Sequence, residues 1–119
     1  MGLRLALDAL RRLTSIGDEM VMVGGGSRSA FWRQIFSDVY NMKVVKTNID
    51  QQAAALGAAA TIAVGLDWWE DFSIIDAIHE VESEIFPDPK NNAVYECLLP
   101  VFQKAASSQA ELGDMLDKI

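Results

Sequence analysis

The chain has 119 residues, half of them apolar, with a formal net charge of −7 and a single cysteine. That length allows one domain, or part of one, with a real core; the acidic balance argues against nucleic acid as a partner, and no apolar stretch approaches the roughly 20 residues of a membrane span. Cys97 alone excludes an internal disulfide and fits a reducing cytoplasm, and one His with one Cys leaves no zinc site built from soft ligands.

Gly2 to Ser15 reads as a helix, with Leu3, Leu7 and Leu10 on one stripe and Arg4, Arg11 and Arg12 facing water. Its charges exclude a secretory leader. Glu19 to Val23 reads as a short buried strand that empties into Gly24-Gly25-Gly26. Ser27 or Ser29 can cap the next helix, which runs to Tyr40 and ends at Asn41. Lys43 to Lys46 reads as a second strand around Val44 and Val45. Gln51 to Val64 reads as an alanine-rich helix with Gly57 inside it, a helix suited to lying close to another element. Phe72 to Glu84 reads as an amphipathic helix, and Pro87 and Pro89 mark a turn. Asn91 to Asp117 reads as a closing helix or helix pair that Pro100 starts, kinks or splits. Two strands joined by a helix predict a right-handed parallel crossover in an α/β fold. Two strands make a poor sheet, so the chain is expected to be a piece of something larger.

The run Met20 to Ile35 carries the chemistry. Glycines let bare backbone approach a ligand, and a helix start presents unpaired amides to an anion. An adenine nucleotide suits such a bend. Gly25 and Gly26 would lie against it, Ser27 and Ser29 would supply hydroxyls and caps, and Arg28 would lie along a phosphate or cover the purine. A ligand-free strand-to-helix turn is the alternative. Charge favours the first half for phosphate: residues 1–65 carry seven Arg or Lys against five Asp or Glu, and residues 66–119 carry three against twelve. No Walker A pattern is present. A dinucleotide fingerprint would need glycine where Ser29 stands and an acid where Lys46-Thr47 sits, whereas Asp50 comes late.

Other residues read as structural. Phe31, Trp32 and Phe36 at helical spacing read as core rather than as a base-stacking platform. Trp68-Trp69 reads as packing against the alanine-rich helix. Asp38 reads as a solvated or capping carboxylate, and Cys97 as inert core. His79 has no nucleophile partner for general-base work. Glu80, Glu82 and Glu84 scatter over a helix surface rather than forming a metal cluster.

The ordered set Val23-Gly24-Gly25-Gly26-Ser27-Arg28-Ser29, Trp32-Arg33-Gln34-Ile35, Ser37-Asp38-Val39, Val44-Val45, Ala54-Ala55-Leu56-Gly57-Ala58-Ala59, Ala63 and Gly65 resembles the C-terminal domain of FGGY-type carbohydrate kinases, most closely the xylulokinase-like branch. The tail from Ile85 to Pro100 and the first helix resemble that family too. The resemblance implies a partial ribonuclease H-like, actin-like ATPase fold: few parallel strands with flanking helices over residues 1–65 and a helical tail over 66–119. It implies ATP with Mg2+ as cofactor in the intact enzyme. Gly24, Gly25, Gly26, Ser27 and Arg28 would lie against the adenosine and α-phosphate, with Ala30 near the adenine. Gln52 departs from the family, where many relatives have glutamate.

The family's catalytic aspartate, sugar-binding residues and N-terminal phosphate loop have no counterpart here, so the resemblance implies a kinase fragment that is inactive alone, with no catalytic residue and no metal ligand in this chain. Its partner would be the remainder of the kinase, or a second copy through an exposed edge of the Glu19 to Val23 strand. The alternative function is a non-catalytic oligomerising α/β module without nucleotide binding.

Overall fold

The computed structural model describes residues 1–117. Helix α1 (Gly2–Arg11) leads to strand β1 (Glu19–Val21), a 3-10 turn (Gly25–Arg28), helix α2 (Ala30–Tyr40), strand β2 (Lys43–Thr47), helix α3 (Ala53–Gly65), the short helix α4 (Ile74–Ile78), strand β3 (Val81–Ile85) and helix α5 (Pro89–Leu116). The fold is α/β around one three-stranded sheet ordered β1-β2-β3. β1 and β2 are parallel, with Met20 opposite Val44. β3 runs antiparallel to β2, with Val45 opposite Glu84 and an irregularity between Lys46 and Thr47. The sheet is therefore mixed, not purely parallel.

β3 corrects the helix expected over Phe72 to Glu84. Apolar residues at Ile74, Ile75, Ile78, Val81 and Ile85 satisfy a helical period across that span. Only the first part is helical; His79 leaves the helix in extended conformation. Beyond it the period is two: Ser83 and Ile85 turn inward and Glu82 and Glu84 outward. Lys46 then reaches Glu82, and Lys43 reaches Glu84 at 2.9 Å across the strand pair. Of the alternating glutamates that would scatter on a helix, Glu82 and Glu84 form the outer row of a strand and Glu80 lies just before it.

The last turn of α2 organises the rest. Ser37, Asp38, Val39 and Tyr40 are all buried. Asn41 closes the helix in the left-handed region (φ 51, ψ 50), its amide donating to the Ser37 carbonyl. The Ser37 hydroxyl donates to the Met42 carbonyl at 2.7 Å and toward that of Ile85 at 3.4 Å. Val39, Tyr40 and Met42 form the apolar core, with Leu7, Ile16, Met20, Ile35, Phe36 and Tyr95 packed against it. The Phe36 and Tyr40 rings stack with centroids 5.6 Å apart.

Two charged residues complete this turn. Arg4, expected to face water, is buried: its guanidinium donates to the Val39 carbonyl, pairs with Asp8 at 2.9 Å and meets Glu96 at 2.8 Å. Arg11 reaches the Tyr40 carbonyl at 3.4 Å. Cations at a helix C-terminus meet the unpaired carbonyls and the negative end of its dipole. Asp38, expected to be solvated or capping, is 2% exposed. Its carboxylate accepts from the Asp88 amide at 2.8 Å, Asn91 Nδ2 at 2.9 Å and Gln34 Nε2 at 2.8 Å, while its carbonyl accepts from Asn92 Nδ2. It is the acceptor that seats the start of α5.

Several apolar residues expected inside lie outside. Phe31 and Trp32 are exposed, Trp68 is 74% exposed, and Cys97 is exposed on α5. Helix α3 buries only Ala60 and Ala63, and a Cβ at Gly57 would meet open space rather than a packed neighbour. Helix α5 runs through Pro100 as one element. Proline removes the amide that would serve the Glu96 carbonyl, and water can take that carbonyl on an exposed helix. With α5 projecting over about 42 Å, the radius of gyration is 18.6 Å, against about 13.5 Å for a compact domain of this length. Among the described residues, no helix is long and apolar enough to cross a membrane.

Replacing Asp38 by Ala removes the buried acceptor shared by the Asp88 amide, Asn91 Nδ2 and Gln34 Nε2, of which only Gln34 Nε2 keeps another acceptor, the Phe86 carbonyl at 3.1 Å. We expect a loss of about 2–3 kcal/mol in urea unfolding and a melting point lower by roughly 10 °C. A loss below about 0.5 kcal/mol would remove Asp38 from this role.

Candidate functional site

The glycine bend sits where β1 leaves the sheet. The Met22 amide still donates to the Val45 carbonyl at 2.9 Å, which extends the parallel ladder one step beyond β1. Gly24 then adopts φ 85 and ψ −172. An L side chain is strained there, so glycine is required at this position. The Gly24 amide donates to the Asp50 carbonyl at 3.2 Å, tying the bend to the segment after β2.

The 3-10 turn follows at once. The Ser27 amide donates to the Gly24 carbonyl at 3.0 Å, and so does the Ser27 hydroxyl at 2.7 Å. Ser27 is fully buried. Its hydroxyl, expected to face a ligand, is therefore occupied inside the bend, where it fixes the shape of the turn. Ser29 has β-region dihedrals and accepts from the Trp32 amide at 3.3 Å, the N-cap of α2. Arg33 Nη1 donates to the Ser27 carbonyl from α2.

Gly25, Gly26 and Ala30 remain exposed. Among the described residues, the Gly25 and Gly26 amides find no acceptor. A Cβ at Gly25 would meet nothing within 4 Å, and one at Gly26 would meet only Met22 Cε at 3.0 Å. The bend is thus an open stretch of backbone with unpaired donors. Arg28 lies beside it, its Nε 3.1 Å from Asp50 Oδ2. The Gln51 amide and then Arg28 hold the Asp50 carboxyl below its ordinary value. The structure thus brings together all six predicted residues, Gly24, Gly25, Gly26, Ser27, Arg28 and Ala30, with Ser27 turned inward. It adds two that the sequence reading did not assign to the site: Asp50, whose place at the end of the segment after β2 was the available signal, and Arg33. An apolar cleft of about 330 Å³ lies between α1 and α2, lined by Leu3, Trp32, Phe36 and Tyr40 among others. None of its lining residues belongs to the bend.

The structure defines an α/β unit in which a parallel strand ends in an open glycine turn that is followed by a capped helix. The match to known proteins then gives the family. Residues 1–66 fit the profile of the FGGY family of carbohydrate kinases, C-terminal domain, and the chain belongs to that family. A xylulose kinase of Staphylococcus epidermidis is 28% identical over 114 residues, covering 92% of this chain and 23% of that protein. An autoinducer-2 kinase of Salmonella paratyphi B is 32% identical over 98 residues, covering 82% of this chain and 18% of that protein. The crystal structure of a ligand-bound xylulose kinase from Lactobacillus acidophilus superposes with a TM-score of 0.77 at 27% identity, over 91% of this chain and 22% of that one. The chain therefore spans less than a quarter of the length of these relatives.

The two neighbouring glycines separate conformation from space. Gly24→Ala should cost about 1–3 kcal/mol of stability because of its backbone geometry, and Gly25→Ala should change it by less than about 0.5 kcal/mol. Urea unfolding of both variants checks this; equal losses would mean that the bend is not strained at Gly24.

Proposed function

We propose that this chain is the nucleotide-side part of an FGGY carbohydrate kinase of the xylulose kinase type, and that the Gly24–Arg28 bend receives the adenosine and α-phosphate of ATP. One observation supports this reading: Gly25 and Gly26 are exposed and their amides find no acceptor among the described residues, with Met22 Cε the one side-chain atom found near a Cβ built at either glycine. In this reading Gly25 and Gly26 donate to phosphate oxygens or pack against the ribose. Gly24 and the inward Ser27 hold the turn's shape. Arg28 stands at its rim on Asp50, and Ala30 leaves room for the purine. The residues 1–65 form the core of a ribonuclease H-like nucleotide domain, and 66–119 extend it.

The reaction is transfer of the γ-phosphoryl group to a sugar hydroxyl, with ADP leaving. Most of its catalysis is positioning and charge stabilisation. Mg2+, when bound, neutralises phosphate charge. No residue of this chain is assigned to the metal, to the sugar or to proton removal from the hydroxyl; the remainder of the kinase supplies those groups. This chain contributes one wall of the nucleotide cleft.

A second reading is favoured by β1. Among the described residues no strand pairs with its outer edge, and such edges recruit other chains. A non-catalytic module that self-associates there would be a dimer by light scattering and silent toward nucleotide.

Titration of the 15N-labelled chain with Mg·ADP tests the first reading. We expect weak binding, with amide shifts centred on Gly24, Gly25, Gly26, Arg28, Ala30 and Asp50. Gly25→Val should lower the affinity by about tenfold, or 1.4 kcal/mol, without changing the fold. A coupled ADP-release assay with ATP and xylulose should read no turnover above the blank. Absence of shifts at millimolar ADP, or shifts remote from the bend, would overturn the nucleotide reading.

A further inference from the structure

We propose that Arg33 is a positioning residue that gives the glycine bend its preference for an anion. This deepens the nucleotide reading above and rests on it. Arg33 stands on α2, four residues past the Ser29 cap. It is nine-tenths buried, at 9% exposure, the same as Arg4. The two buried arginines differ in their company. Arg4 has Asp8 and Glu96 as counter-charges. Among the described residues, no carboxylate ion-pairs with Arg33. Its Nη1 donates to the Ser27 carbonyl, so the guanidinium is aimed at the bend, and its Nε is buried without an acceptor.

A buried cation without a counter-charge is costly, and a nearby anion relieves that cost. The bend that Arg33 supports carries the open amides of Gly25 and Gly26. The other charges at the bend, Arg28 and Asp50, pair with each other. Arg33 is therefore the uncompensated charge beneath it. It does not touch the ligand. It holds the Ser27 carbonyl, which keeps the 3-10 turn in shape, and its field reaches an anion seated on the glycine amides in a medium of lower dielectric than water. The neutral nucleoside gains nothing from that field, whereas a phosphate does. The inference therefore concerns a ratio: the bend's preference for ADP over adenosine comes from Arg33.

The test compares ADP with adenosine, each titrated into the full chain at low and high salt. The wild-type chain should bind ADP more tightly than adenosine, by about tenfold. Arg33→Gln keeps a donor for the Ser27 carbonyl and removes the charge. It should leave the adenosine affinity within about twofold, lower the ADP affinity about five- to tenfold and flatten its salt dependence. Equal weakening of both ligands, or no change in either, would overturn the role of Arg33 while leaving the nucleotide reading intact. A wild-type chain that binds neither ligand would overturn both. If Arg33→Gln loses its helical circular dichroism, Arg33→Lys decides: a preference for ADP within about twofold of wild type supports the charge, and its collapse overturns the proposal.

Discussion

The last turn of α2 is the constraint on which the structure depends. Four consecutive residues, Ser37 to Tyr40, are buried, and each tethers or packs against a different part of the chain. The Ser37 hydroxyl reaches the loop into β2 and the end of β3. Asp38 seats α5, and the Val39 and Tyr40 carbonyls take the two arginines of α1. A helix end buried without partners would be unstable, because its final carbonyls cannot be served within the helix. Here those carbonyls are the sockets into which α1 plugs. Asn41 in the left-handed region then turns the chain directly into β2. The core is small, and polar contacts around this turn hold much of the assembly together.

The other end of α2 is organised by the same means and to a different purpose. Ser29 caps the helix, and Arg33 holds the Ser27 carbonyl, so the 3-10 turn is fixed from beneath. Asp50 anchors the Gly24 amide from the side. Everything that shapes the bend comes from below or beside it, which leaves Gly25 and Gly26 exposed. α2 thus joins a closed, satisfied terminus to an open, unsatisfied one. That asymmetry is what supports the proposed placement of a ligand at the N-terminal end.

Much apolar surface stays uncovered. Leu3, Leu10 and Leu13 around α1, Ile62 and Trp68 around α3, and Leu112 and Leu116 on α5 are all exposed. Exposed apolar surface on this scale is expected where further protein packs. The proposed role as one wall of a larger cleft accounts for it, and for the alanine-rich α3, whose Gly57 faces open space.

The sequence alone determined the elements with strong local signals. The glycine bend, a serine cap at Ser27 or Ser29, the Asn41 stop and both parallel strands were legible, because cap chemistry, backbone freedom and β-branched runs act within a few residues; the structure places the cap at Ser29. The family was legible for a related reason: its residues form an ordered set over a short span. Tertiary structure alone decided the rest. Arg4 looked like a solvated residue and is buried, since its partners Val39, Glu96 and Asp8 come from three elements. Asp38 became the seat of α5 through donors 50 or more residues away. β3 carried a helical spacing, and its pairing with the two lysines of β2 overrode it. Whether Arg33 lay inside or outside depended on the turn above it, because burial belongs to the surroundings of a residue and not to its type.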